Sequence, residues 1–96
     1  MKIKIYQINF ERDEKRAAFL SWDSLEHFGL TFDRSIYDEV FAGDVPCENL
    51  GEVFYMFNME HPAGYRGHSL SVSDVVEMNS RFYFCDSFGW KEINFE

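Results

Sequence analysis

The chain has 96 residues, 46% of them hydrophobic and 19% aromatic, with two cysteines and a formal net charge of −8. This describes one compact domain spanning residues 1–96, with enough Phe, Tyr and Trp to fill a core, and not a cysteine-stapled scaffold. It argues against direct nucleic-acid binding, which draws most of its affinity from Lys and Arg against phosphate.

The first stretch, KIKIYQIN (residues 2–9), alternates Ile3 and Ile5 with Lys2 and Lys4 and predicts a strand. It contains no long apolar run, and no segment approaches the roughly 20 apolar residues of a membrane span, so a cytoplasmic protein with reduced cysteines is expected. Glu11 to Arg16 reads as a charged connector, and Ala17 to Leu20 as a short second strand. In WDSLEHFG (residues 22–29) Asp23 is placed to cap a short helix, with Glu26 as its reciprocal partner and Gly29 as the stop.

Ile36 to Val45 has strand content and is closed by Gly43, Asp44 and Pro46. Residues 48–58 carry Leu50, Val53, Phe54 and Phe57 at i, i+3, i+4 and i+7, the spacing of a helix with one apolar face, and Glu48 and Glu52 suit its N-terminus. Met59 to His68, with Pro62, Gly64 and Gly67, reads as an exposed loop. Val75–Met78, Arg81–Asp86 and Lys91–Phe95 read as three strands of a C-terminal meander, the first link being Asn79-Ser80. The expected fold is α+β: a mostly antiparallel sheet of four to five strands with helices near 22–29 and 48–58.

The segment GHSLSVSDVV (residues 67–76) contains the residue types of a serine hydrolase: His68, Ser69, Ser71, Ser73 and Asp74. A working triad converges from positions set by a fold beside an oxyanion hole, and the flank lacks the G-x-S-x-G elbow. The segment is better explained as a corner whose serines and aspartate bond turn backbone, so no catalytic residue is expected. His61, His68, Cys47 and Cys85 supply ligand atoms suited to a four-coordinate zinc but lack its usual spacings. The alternative is two loop histidines and packed cysteines with no cofactor.

The charge is unevenly placed. Residues 17–65 hold nine carboxylates against one base, Arg34, while the rest of the chain is balanced. Such a field attracts basic surfaces. The candidate partner-binding residues are therefore Asp33, Asp38, Glu39, Asp44, Glu48 and Glu52. Trp90, following Gly89 in a turn, is added as a partly exposed aromatic anchor.

The runs IYQIN and ERD (residues 5–9 and 11–13), SIYDEVFAGDV (35–45), FN (57–58), HPAGYRGHSLSVSDVV (61–76) and FYFCDSFGW (82–90) together resemble the YodL-like domain. The resemblance implies an accessory function on mobile elements of Gram-positive bacteria and transfers no catalytic residue. With the charge pattern it leads to an expected role as a non-enzymatic acidic inhibitor. Its carboxylates would mimic DNA in the basic channel of a host defence enzyme, with a type II Cas nuclease as the expected target and an anti-CRISPR protein as the result. The alternative is a regulatory or scaffold module binding a protein through the last hairpin.

Overall fold

The computed structural model describes residues 1–60, 62 and 65–95. Its strands are β1 (Lys2–Ile8), β2 (Tyr37–Asp44), β3 (Val75–Met78), β4 (Arg81–Cys85) and β5 (Trp90–Ile93), and its helices are α1 (Trp22–His27) and α2 (Leu50–Met59). The strands form one antiparallel sheet in the order β2-β1-β3-β4-β5. The fold is therefore α+β, with a five-stranded sheet and two α-helices among the described residues.

Alternation along β1 explains why the sheet is covered on both sides. Ile3 and Ile5 point to the face on which Val53 and Phe57 of α2 pack, together with Val76 and Met78. Tyr6 points the other way, into a cluster with Leu25 of α1, Val75, Phe84 and Phe95. Phe95 lies within 4.7 Å of the Tyr6 ring centroid and 5.1 Å of that of Phe82, and so closes this second layer. Opposite β1, the pairing of β2 slips between Ile5 and Tyr6, leaving Val40 as an extra residue. This bulge bends an edge strand that would otherwise offer a flat row of backbone donors and acceptors.

Three local expectations are corrected. Ala17–Leu20 is a turn, because the Asp13 carboxylate accepts the N–H groups of Ala17 and Ala18 at 2.7 and 2.9 Å and Ser73 Oγ accepts that of Phe19 at 3.0 Å. With those donors taken, no strand ladder forms there. The cap of α1 is Ser21, not Asp23: its Oγ accepts the Ser24 N–H at 3.1 Å. The helix starts at Trp22, as expected, with the Trp22 N–H anchored on Asp86 Oδ1 at 3.1 Å and Asp23 in the first turn. Gly29 (φ +68°) does end it, with Leu30 N–H on Leu25 O at 2.8 Å and Gly29 N–H on Glu26 O at 3.0 Å.

α2 begins at Leu50 and not at residue 48. Asn49 Oδ1 accepts the Glu52 N–H at 2.9 Å, and Glu52 Oε1 reaches back to the Glu48 N–H at 2.8 Å. Leu50, Val53 and Phe57 turn inward, while Phe54, at the margin of that stripe, is 40% exposed. The β3–β4 link is a two-residue turn with both Asn79 (φ 55°) and Ser80 (φ 63°) left-handed, the form that twists with a hairpin. Ser80→Gly is expected to stabilise the domain by about 0.5–1 kcal/mol, read as a rise in Tm, because glycine adopts this backbone without steric cost.

Candidate functional site

The GHSLSVSDVV segment folds around a residue from the opposite end of the sequence. Gln7 occupies the third inward-facing position of β1 after Ile3 and Ile5, and is buried. Its Oε1 accepts the His68 N–H at 3.1 Å. Its Nε2 lies 3.0 Å from Tyr65 Oη, 3.0 Å from the His68 carbonyl and 2.9 Å from Asp74 Oδ2. Two amide protons therefore serve three acceptors, and the Tyr65 hydroxyl also donates to the His68 carbonyl.

Asp74, 1% exposed, completes the corner: its Oδ2 takes the Ser71 N–H at 2.8 Å, while its backbone bonds Ser71 and Cys85. Burial pushes its carboxyl up to about 7, against the opposing pull of the Ser71 N–H, His68 and Gln7. Burial and the charge of Asp74 likewise push Tyr65 up to about 12. Ser73 is held at φ 85° by three bonds: its Oγ accepts from Phe19, its N–H donates to Cys85 O at 2.9 Å, and its carbonyl accepts the Tyr37 hydroxyl at 2.6 Å.

This geometry answers the question posed by the residue types. His68 Nδ1 lies 2.6 Å from the Ser69 carbonyl, which can only accept, so Nδ1 carries the proton and the 3.4 Å approach of Gln7 Nε2 is a contact and not a bond. Ser71 Oγ donates to the Ser69 carbonyl at 3.0 Å. Among the described residues no serine hydroxyl is bonded to His68, and Asp74 orients Gln7 in place of an imidazole. The cluster works as a clasp between the start of the sheet and the entry to β3.

The candidate metal ligands are dispersed by role. Cys47 is buried beside α2, with its thiol 3.7 Å from Met56 Sδ. Cys85 is buried at the end of β4, where burial, Asp74 and Asp86 push its thiol up to about 12. His68 stacks on Phe10 at 6.1 Å, and His61 lies outside the described residues. Among the described residues no three His, Cys, Asp or Glu side chains converge to hold a metal ion.

The acidic candidates fall into two groups. Asp38, Glu39 and Asp44 lie on β2, and each already faces a cation: Arg12 at 2.5 Å, Lys4 at 3.7 Å and the terminal ammonium at 2.7 Å. The Arg12 and Asn9 bonds hold Asp38 below the usual carboxylate range, and the ammonium does the same for Asp44. Asp33 is lowered by its bonds from Ser35, which it caps. Glu48 and Glu52, with Glu60 at the far end of α2, are exposed, and the ion pairs among the described residues all lie elsewhere.

Trp90 is not in a turn. It begins β5, pairs with Cys85 and packs on the α2 side of the core, whereas Phe88 at the turn is 96% exposed.

A family model described as the YodL-like domain matches residues 2–95. The chain belongs to the YodL-like domain family. No curated protein and no solved structure matches it. The family match spans both the Gln7 clasp and the two groups of acidic residues, so they are parts of one YodL-like domain. Among the described residues of this YodL-like domain no helix is long and apolar enough to cross a membrane.

The Gln7 hydrogen bonds and the exposed apolar side chains Tyr55 and Met59 on α2 lie outside the sequence expectations. Gln7 carried a readable signal, a polar residue at an inward slot of an alternating strand. Tyr55 and Met59 were obscured because attention to the i, i+3, i+4, i+7 stripe treats every other position of the helix as solvent-facing.

Proposed function

We propose that this YodL-like domain is a non-enzymatic accessory protein of mobile elements that occupies a basic surface of a host defence enzyme. Its nearest expected target is the nucleic-acid channel of a type II Cas nuclease. The observation that carries this reading is the absence of any Lys or Arg from residues 35–65, which build β2 and α2, while six carboxylates in that stretch sit on them or at their ends. A channel that holds a heteroduplex with Lys and Arg has the complementary charge.

The test is target cleavage by a guide-loaded nuclease with the protein added before or after DNA, at two salt concentrations. Inhibition only on prior addition, weakened at least severalfold between about 0.05 M and about 0.3 M salt, is the expected result. Equal inhibition at both salts removes charge mimicry, and no inhibition in any order removes this target. Phe88 at the tip of the last hairpin favours a second reading, a regulatory or scaffold module, whose partner binding would be lost in Phe88→Ala and be indifferent to salt.

A further inference from the structure

The outward face of α2 carries large apolar side chains where a solvated helix would carry charges. Tyr55 and Met59, one turn apart, are 64% and 65% exposed, and Phe54 flanks them. Beside them runs an open groove of about 470 Å³ lined by Pro46, Cys47, Glu52, Tyr55, Met56 and Glu60. Its floor is soft: the Cys47 and Met56 sulfur atoms touch at 3.7 Å, and methionine adapts to varied apolar partners. Its lining is anionic at Glu52 and Glu60, both exposed, and Glu48, also exposed, lies two residues before α2.

From this we infer that the outer face of α2 is a docking surface for a cationic amphipathic segment of a partner protein, with apolar side chains seated against Tyr55 and Met59 and Lys or Arg side chains meeting the glutamates. This rests on the reading of the domain as a protein-binding inhibitor and names where contact is made. The charges select the occupant. A second copy would set the same glutamates against themselves, and nucleic acid or an anionic lipid surface would be repelled. The β2 carboxylates are the weaker alternative, since each already faces a cation. An aromatic ring beside carboxylates that form no ion pair among the described residues combines the elements that give interfaces both affinity and steering.

The probe is an amphipathic Leu/Lys peptide of about 18 residues, titrated into the full chain and followed by backbone amide NMR, with an oligolysine of equal charge as control. The expected result is shifts confined to residues 46–60 with the Leu/Lys peptide, binding about tenfold weaker in Tyr55→Ala and in Met59→Ala, and weaker again in the Glu48→Gln/Glu60→Gln pair. These positions are exposed, so an unchanged amide spectrum elsewhere confirms that the variants fold.

Shifts scattered over the surface or centred on β2, indifference to Tyr55→Ala, self-association through α2, or no binding each overturn the inference. The nuclease assay separates it from the broader reading. If Tyr55→Ala inhibits as well as the parent, the α2 surface fails and channel blocking stands. If the parent does not inhibit while the peptide docks on α2, the surface stands and the target fails.

Discussion

Asp74→Ala lowers the unfolding free energy by about 2–4 kcal/mol, whereas Asp74→Asn costs much less. Alanine leaves the buried Ser71 N–H without its acceptor, at about 1–3 kcal/mol, and takes from Gln7 the nearest of the three acceptors that its two amide protons share, at about 1 kcal/mol more. Asparagine keeps an oxygen in the same place and carries no charge into a site where burial already disfavours one. Neither variant keeps the titrating carboxyl, so both lose the pH dependence that the parent carries.

With its carboxyl raised from 3.8 to about 7, folded Asp74 binds its proton more tightly than the unfolded chain does. Its contribution is therefore fully present below pH 4 and is lost as pH rises through 7, a fall of a few kcal/mol at about 1.4 kcal/mol per unit. Protonated His68 favours the ionised carboxylate, while the charges of Asp86 and Asp74 act together on Cys85. Urea denaturation between pH 4 and 8 is the check. The parent should lose stability across that window relative to Asp74→Asn, and parallel curves would show that Asp74 is ionised throughout.

Gly67→Ala is the second large effect, at about 2 kcal/mol. A Cβ at Gly67 would sit 2.2 Å from Gln7 Oε1 and 2.9 Å from Tyr65 Oη. Neither atom has room to retreat, because the Gln7 amide is fixed by His68 and Asp74 and the Tyr65 hydroxyl by Gln7 and the His68 carbonyl. Overpacking against a fixed polar group breaks its bonds as well as straining contacts. Chemical denaturation of Gly67→Ala alone and combined with Gln7→Ala tests the cause. If the clash is responsible, the glycine substitution costs markedly less once Gln7 is truncated; simple additivity would point to some other defect.

The parts of the fold legible in the sequence were those in which one residue pattern had one interpretation. The Ile3/Ile5 alternation, the Leu50/Val53/Phe57 spacing and the Asn79-Ser80 link all specify local geometry, and strand, helix and hairpin stand where they were expected. The failures share a physical origin. Ala17–Leu20 has the composition of a strand, but Asp13 and Ser73 claim its donors, and Ser73 is 54 residues away from Phe19 in sequence. The α1 cap moved because Asp86, from the far end of the chain, holds Trp22.

The same distinction runs through the candidate site. That the serine-rich segment shapes a turn followed from its residue types, but its clasp on Gln7 needed the sheet order to be known. Charge counting found the acidic middle of the chain, yet the cations facing Asp38, Glu39 and Asp44 come from Arg12, Lys4 and the terminal ammonium. Trp90 was assigned to the turn from its neighbour Gly89, whereas pairing with Cys85 draws it into β5.

The interior place of β1 in the sheet has a consequence for how the molecule forms. β1 is flanked on one side by β2 and on the other by β3, both later in the chain, so Tyr6 must wait for Val75, and its aromatic layer for Phe95. An emerging chain can pair β1 with β2 and lay α2 across them, but the other side of that sheet stays open until Phe95 arrives. Folding is thus governed by closure of long loops, which places it in the slow range of small domains, on the order of milliseconds to seconds. A chain cut short before residue 95 retains its first layer and exposes an aromatic second one, an adhesive surface that a cell would meet as a target for degradation.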